Sequence, residues 1–186
     1  MTDTPAVRIF SGAEWRVYRD LRLRALTDSP DAFGSTLAEE AARPDAEWSR
    51  RLASDADSLT NLALVAEMQG EPIGLAWGRI DPSNPNVAVL YQMWVAPSRR
   101  GVGAGQMLLE AVIAWATLRK ASFLHLGVTC GNSPARRFYE RAGFQPIGEP
   151  QPLRPESKLL AQSMRLTLGV ATEQDRRADG AARRSS

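Results

Sequence analysis

The chain has 186 residues, of which 44% are hydrophobic and 24% charged, and its 23 basic and 21 acidic side chains give a formal net charge of +2. This length predicts a single domain with a full hydrophobic core, and the near balance of charge argues against a nucleic-acid surface. With one cysteine, Cys130, and one histidine, His125, the chain has too few residues for an internal disulfide or a His/Cys metal site, and is a poor candidate for Ser-His-Asp or Cys-His hydrolase chemistry.

The first third of the sequence predicts a strand followed by two helices. "VRIF" is typical of a short strand, and the helix after it begins with the capping-box spacing of Ser11 and Glu14. After a break at Pro30, the segment "PDAEWSRRLA" predicts a second, short helix with Pro44 at its start. We expect these two helices and their connection to form one wall of a pocket.

Three strands are predicted next. "NLALVAEM" and "EPIGLAWGRI" are separated by Gln69 and Gly70, a spacing typical of a β-hairpin, and Pro72 indicates an irregular start to the second strand. "NVAVLYQMWVAP" is apolar on both alternating faces, which predicts a central strand that is covered on both sides and ends at Pro97.

The second half of the chain alternates helices and strands. A helix is predicted from Gly103, with a buried stripe, and "SFLHLGVT" predicts another strand. "NSPARRFYERAGF" predicts a helix that ends at Gly143 in a left-handed cap. A last strand is expected at about Leu159 to Leu168, with a further strand near Phe144, so the fold class is a mixed α/β sheet. The stripe predicted for the helix after Gly103 consists of Ala104, Met107, Leu108, Ala111, Val112 and Trp115.

The ends of the chain predict its organisation and location. Residues 1–168 are expected to form one domain, whereas the polar segment "GVATEQDRRADGAARRSS", residues 169–186, is expected to be a disordered tail. No apolar run reaches the roughly 18 residues that cross a bilayer, and "MTDTPAVRIF" lacks the features of a secretion signal. We therefore expect a cytoplasmic protein with no membrane partner.

A glycine-rich segment, "RRGVGAG", stands at the start of the long helix. The exposed N–H groups of a helix N-terminus attract anions, and glycines allow a phosphate to approach the backbone. The spacing fits neither a Walker loop nor a dinucleotide fingerprint, but it fits Arg-x-x-Gly-x-Gly from Arg100 through Gly103 to Gly105. A tight turn with a solvated basic rim is the alternative interpretation.

Two segments together resemble the GNAT superfamily of acetyl-CoA-dependent N-acetyltransferases. "VAPSRRGVGAGQMLL" is similar to the pyrophosphate loop of that family, and "NSPARRFYERAGF" is similar to its second hallmark, an Asn that opens a helix followed by a Tyr and a closing Gly-Phe. The resemblance covers about Val7 to Leu168. It implies the GNAT fold, a mostly antiparallel sheet of six or seven strands with a splayed parallel pair and about four flanking helices.

The resemblance also implies a site for acetyl-CoA as cosubstrate. Tyr139 stands where the family places its general acid, and the alternative is that it is only an aromatic residue of the core. Asn132 resembles the residue that contacts pantetheine in the family, and it can cap the helix as well. Arg136 is a candidate to bind the 3′-phosphate. Trp77 and Trp94 are candidates for the acceptor pocket or for the core. The cofactor-binding residues implied are Met93, Trp94, Val95, Arg100, Gly101, Val102, Gly103, Ala104, Gly105, Asn132, Arg136 and Tyr139.

The sequence departs from the family pattern at the general base. Several family members carry a carboxylate on the central strand where this chain has Val89, and no Glu or Asp occurs between Asp81 and Glu110. The amine can lose its proton to ordered water or to a nearby side chain, or the substrate amine can have a low pKa and need little help. The side chains considered are Tyr91, Glu39 and Glu40. Cys130 is either a reactive thiol or, as is more common, inert.

These features predict an N-acetyltransferase that transfers acetyl by direct attack of a primary amine, without a covalent enzyme intermediate. The amine belongs to a small molecule or a peptide, the neutral overall charge argues weakly against a strongly charged acceptor, and a homodimer is possible because many relatives are dimers. Two alternatives are a non-catalytic acetyl-CoA-binding sensor or interaction module and a nucleotide-binding regulator that uses the same loop.

Overall fold

The protein forms one eight-stranded sheet flanked by helices in a computed structural model that describes residues 4–55, 58–155 and 157–169. The residues of the expected tail from 170 to 186 lie outside the described residues. The strands are β1 Ala6–Ile9, β2 Asn61–Met68, β3 Glu71–Asp81, β4 Asn84–Val95, β5 Phe123–Thr129, β6 Gln145–Pro146, β7 Gln151–Pro152 and β8 Leu160–Thr167. The α-helices are α1 Trp15–Asp28, α2 Leu37–Ala41, α3 Asp45–Asp55, α4 Ala104–Leu118 and α5 Ser133–Arg141.

The sheet is antiparallel except for one parallel pair in its middle. Its strand order is β1-β2-β3-β4-β5-β8-β6, with β7 also paired to β8. The parallel strands β4 and β5 pair only where Val87–Val89 meet Phe123–His125, although β4 continues to Val95 and β5 to Thr129. The expected splayed pair is therefore confirmed, and the divergence opens a gap at the carboxyl ends of both strands.

Helices cover the sheet on both faces, as the continuous apolar pattern of β4 requires. On one face α4 packs against the sheet around Leu108, Val112 and Leu124. On the other face α1 and α3 pack around Tyr18 and Trp48. None of the helices in the described ranges is long and apolar enough to cross a membrane.

The hairpin between β2 and β3 follows its sequence closely. Gln69 and Gly70 both have positive φ, 55° and 80°, as a two-residue turn between right-twisted strands requires. The register of the two strands shifts between Ala66 and Glu67, opposite Pro72. Pro72 lacks the N–H of a regular ladder, which accounts for the irregular start that the sequence predicted.

Three details differ from the sequence prediction. The described residues contain five α-helices rather than about four, because a capping box at Thr36 and Glu39 starts the five-residue α2, which is too short to have an apolar period. The two-residue β7 likewise carries no strand pattern. The buried face of α4 is also rotated slightly: Leu109 and Ala116 are buried, whereas Met107 and Ala111 are only half-buried.

Candidate active site

The connection from β4 to α4 is shaped by two glycines in the left-handed region. Gly101 has φ +85° and Gly103, the N-cap of α4, has φ +92°. A Cβ at either position would strain the backbone but would meet no atom within 4 Å, so the space in front of both is open. Gly105 is different, since a Cβ there would make ordinary contacts of 3.7–3.9 Å. The backbone therefore requires the first two glycines but not the third.

The backbone amides of residues 101–106 have no hydrogen-bond acceptor among the described residues. Among the described residues, no hydrogen bond is donated by the N–H of any residue from 101 to 106; the first amide that is used belongs to Met107, which donates to the Gly103 carbonyl at 3.1 Å. No side chain caps α4 at Gly103. A row of unbonded N–H groups at the positive end of a 15-residue helix is suited to bind an anion.

Arg100 lies inside this connection but is turned towards the protein. Its Nη2 donates to the Asp28 carboxylate at 2.6 Å and its Nε to the Val95 carbonyl at 3.0 Å, while Trp94 Nε1 donates to the same Asp28 oxygen at 2.9 Å. Burial raises the pKa of Asp28, but the hydrogen bonds from Trp94, Ser29 and Arg100 outweigh it and lower the pKa overall. The Arg100 guanidinium therefore joins the loop to Asp28 of α1, although its side chain remains 53% exposed.

A cleft of about 1050 Å³ opens beside the splayed strands. Seven residues expected to contact the cofactor line it: Met93, Trp94, Val95, Arg100, Gly105, Asn132 and Tyr139. Five others do not line it: Gly101, Val102, Gly103, Ala104 and Arg136. The first four of these form the connection before and at the start of α4. Arg136 is exposed on α5, where its Nε donates to Glu140 at 2.7 Å.

Tyr139 on α5 is held by aromatic neighbours. Its ring meets Phe138 and Phe144 edge-on, with centroids 5.1 and 5.7 Å apart. Burial raises the pKa of its phenol. Tyr139 is therefore both a packed aromatic and a protonated donor that lines the cleft.

Asn132 combines the two roles that the sequence left open. Its side-chain oxygen accepts from the Ala135 N–H at 3.3 Å and so caps α5. The same residue lines the cleft. Because the cap uses the oxygen, the side-chain NH₂ remains as a donor.

The candidate bases differ in how far they are already engaged. Val89 lines the cleft, so no carboxylate occupies that place on β4. Glu40 lines it too, but it is buried and accepts from Ser35 at 2.9 Å and from Arg43 at 3.0 Å. Glu39 is exposed, lies outside the cleft lining and caps its own helix. Tyr91 lines the cleft and is 46% exposed.

The other residues singled out in the sequence fall on different surfaces. Cys130 is exposed and absent from the cleft lining. His125 lies on β5 next to Phe123, outside the cleft, and burial lowers its pKa. Trp77 and Trp94 are buried and also line the cleft. The sequence did not predict that several arginines from separate elements would line the same cleft.

Comparisons with known proteins identify the family. The profile of the acetyltransferase (GNAT) family matches residues 23–144. Mycothiol acetyltransferase of Acidothermus cellulolyticus is 26% identical over 80% of this chain and 47% of its own length, and the chain spans about half the length of the curated relatives it matches.

Solved structures agree in fold. A GNAT-family acetyltransferase from Streptococcus pneumoniae superposes with a TM-score of 0.75 at 20% identity over 89% of this chain and 99% of its own. The Salmonella typhimurium protein yncA, whose structure contains its cofactor acetyl-CoA, has a TM-score of 0.69 at 20% identity over 89% of this chain and 95% of its own. The unbonded amides before α4, the splayed strands and the match of the family profile lead to one conclusion: the chain belongs to the acetyltransferase (GNAT) family.

Proposed function

We propose that this protein is an N-acetyltransferase that transfers the acetyl group of acetyl-CoA to the primary amine of a small molecule or peptide. The acetyltransferase domain comprises residues 1–168. The observation that carries the proposal is the row of unbonded N–H groups from residue 101 to residue 106, next to a cleft lined by Tyr139. The amides of residues 103–106 are those that any helix start leaves unbonded, and here no side chain caps them, while the amides of residues 101 and 102 extend the same set.

The residues that hold the cosubstrate are proposed from this arrangement. Bound acetyl-CoA supplies an activated thioester and a diphosphate. The amides of residues 101–106 donate to the diphosphate, with the partial positive charge of α4 adding to the attraction. The side-chain NH₂ of Asn132 is available for the pantetheine amides. Arg100 positions the loop through Asp28 rather than contacting phosphate through its guanidinium.

The β4 main chain and Tyr139 provide the chemistry on the protein side. Beyond Val89, β4 has no ladder partner in β5, so the main-chain groups of Met93 and Trp94 on that side are free to bond a thioester oxygen. Such donors stabilise the negative charge that develops when an amine attacks the carbonyl. Tyr139 then donates its proton to the departing thiolate, and its raised pKa keeps that proton in place at neutral pH.

Removal of the amine proton is assigned to water or to Tyr91. Glu40 already accepts hydrogen bonds from Ser35 and Arg43, and Glu39 caps α2 outside the cleft. Tyr91 lines the cleft on the face of β4 that Val89 shares. Tyr91→Phe is expected to lower kcat only if Tyr91, rather than water alone, accepts the proton.

The test combines binding and turnover. Isothermal calorimetry should detect acetyl-CoA binding, and a panel of primary amines should release free CoA thiol in a colorimetric assay. ATP without CoA binding would instead support a nucleotide-binding regulator. Acetyl-CoA binding without thiol release from any amine would support the non-catalytic module, which the named acetyltransferases among the relatives do not favour.

A further inference from the structure

A cluster of arginines lines the part of the cleft between α1–α3 and the sheet. Its members come from α1, the α2–α3 connection, α3 and β3: the arginine cluster consists of Arg22, Arg43, Arg51 and Arg79. Glu40 is the acidic residue among the described residues that line the cleft. Four guanidinium groups therefore face one carboxylate, a local positive charge that the net charge of +2 for the whole chain conceals.

Arg22 is buried with donors to spare. Only 2% of its surface is exposed, its Nη2 donates to the Ser35 hydroxyl at 2.7 Å, and the same atom is 3.7 Å from Glu40. Its Nε and Nη1 are buried and have no hydrogen-bond partner. The face of its guanidinium lies 4.5 Å from the Phe33 ring centre. A buried, charged group with two unused donors is costly unless an acceptor reaches it.

Two further arginines extend this charge along β3. The Arg51 guanidinium stands 5.5 Å from the ring centre of Trp77 and 3.8 Å from Glu40. Arg79 lies two residues beyond Trp77 on the same face of β3, opposite Val89 of β4. Arg43, by contrast, is shared between Glu40 and Glu47. Arg22 thus offers two unpartnered donors. Arg51 and Arg79 line the same cleft.

We propose that the amine acceptor carries an oxyanion, a carboxylate or a phosphate, and that Arg22, Arg51 and Arg79 bind it. This inference rests on the proposed function, because it names the class of acceptor for the same cleft. Guanidinium groups bind carboxylate and phosphate oxygens with paired, charge-assisted hydrogen bonds, so one cluster serves either group. The local positive charge favours an anionic acceptor, whereas the net charge of the whole chain had argued weakly against a strongly charged one.

The strand geometry limits the size of the acceptor. Val89, opposite Arg79, and Met93, next to the proposed thioester position, are four residues apart on β4. They are at most roughly 13 Å apart, because a bulge with positive φ at Gln92 lies between them. Arginine side chains reach back over part of this distance. The amine and the oxyanion therefore belong to one small molecule or to one residue of a peptide.

The experiment compares amines that differ only in the charged group. Acetyl-CoA binding is first measured by calorimetry. Initial rates of thiol release at saturating acetyl-CoA are then measured for sets of amino acids of increasing chain length, their carboxamides and the corresponding aminoalkyl phosphates. We expect kcat/KM for the best anionic amine to exceed that of its carboxamide by about tenfold or more. Whichever of the amino acids and the aminoalkyl phosphates gives the higher kcat/KM shows whether the oxyanion of the acceptor is a carboxylate or a phosphate.

Variants assign the preference to the cluster. Arg51→Gln and Arg79→Gln should each lower kcat/KM for the anionic amine by about tenfold, mainly through KM, and leave the carboxamide within about twofold. Arg50→Gln is the matched control, because Arg50 precedes Arg51 on α3 but does not line the cleft. Arg79 is exposed, so its variant remains informative if Arg51→Gln does not fold.

The outcomes separate the two proposals. If carboxamides react as well as the anionic amines, if only neutral amines react, or if Arg51→Gln and Arg79→Gln affect both members of a pair equally, the acceptor inference is wrong while the acetyltransferase proposal stands. If acetyl-CoA does not bind, the proposed function itself is wrong. Binding of acetyl-CoA with no turnover of any anionic amine also overturns the acceptor inference.

Discussion

Replacing Gly103 with alanine separates the role of this residue in folding from its role in binding. Gly103 has φ +92° at the N-cap of α4, and a Cβ there would touch no atom within 4 Å. The folded protein therefore has room for the methyl group and suffers only backbone strain. In the proposed complex, however, the methyl group enters the open space in front of the amides of residues 101–106.

The two effects have different sizes. A non-glycine residue in the left-handed region costs about 1–2 kcal/mol, which for a chain of this length lowers Tm by roughly 2–8 °C. Loss of one or two charge-assisted hydrogen bonds to the diphosphate costs about 1.5–3 kcal/mol each, so the Kd for acetyl-CoA should rise by at least about tenfold. Gly70→Ala is the matched control, because Gly70 has φ +80° with equally open space but lies in the β2–β3 turn.

Thermal unfolding of the ligand-free proteins and calorimetric titration with acetyl-CoA measure the two quantities. Both variants should lose similar stability, and only Gly103→Ala should lose affinity. If Gly103→Ala binds acetyl-CoA as tightly as the wild type, or if Gly70→Ala weakens binding by the same factor, the amides of residues 101–106 do not hold the diphosphate.

Three further predictions concern the groups around the cleft. Because hydrogen bonds lower the pKa of Asp28 in the folded protein, its contribution to stability is present above the unfolded pKa of about 4 and is lost as the pH falls through the folded pKa. When unfolding is measured at decreasing pH, Asp28→Asn should therefore lose less stability than the wild type, and an equal loss in both proteins would contradict this. Glu40→Gln leaves Arg22 buried without its counter-charge and should lower the free energy of unfolding, measured with denaturant, by about 3–5 kcal/mol. Glu39→Gln, an exposed position on the same helix, should lower it by about 0.5 kcal/mol or less, and equal losses would show that the buried Arg22–Glu40 pair does not contribute to stability. Tyr139→Phe should lower kcat about a hundredfold with an unchanged Kd for acetyl-CoA, and full activity of the variant would show that Tyr139 is not the general acid. Because burial raises the pKa of Tyr139, the wild-type kcat should not fall through deprotonation of this residue below about pH 10.

The geometry of the glycine-rich connection before α4 was predictable because its determinants are local. The strand β4, the glycine-rich connection and α4 follow one another within about 35 residues, from Asn84 to Leu118. Positive φ at Gly101 and Gly103 and the helical period after Gly103 are properties of short windows of sequence. The same is true of the capping box at Ser11 and Glu14, the turn at Gln69 and Gly70 and the cap at Asn132.

The acceptor half could not be predicted because its residues meet only in the folded chain. Arg22 comes from α1, Arg51 from α3 and Arg79 from β3, and within its own segment each belongs to an ordinary charged pattern. The hydrogen bond between Arg100 and Asp28 likewise joins residues 72 positions apart, so no local pattern indicates it. The packing of α1 and α3 on the sheet brings these charges together, and no periodic pattern within one segment of the sequence indicates this arrangement.

The most direct test of the account is the response of backbone amide signals to acetyl-CoA in ¹H–¹⁵N spectra. Titration of the labelled protein should shift the amides of residues 101–106 strongly, and pantetheine, which lacks the diphosphate, should leave them nearly unchanged. Binding of acetyl-CoA that moves signals elsewhere in the protein, while those of Gly101, Gly103 and Gly105 stay in place, would contradict the claim that this row of free N–H groups holds the diphosphate.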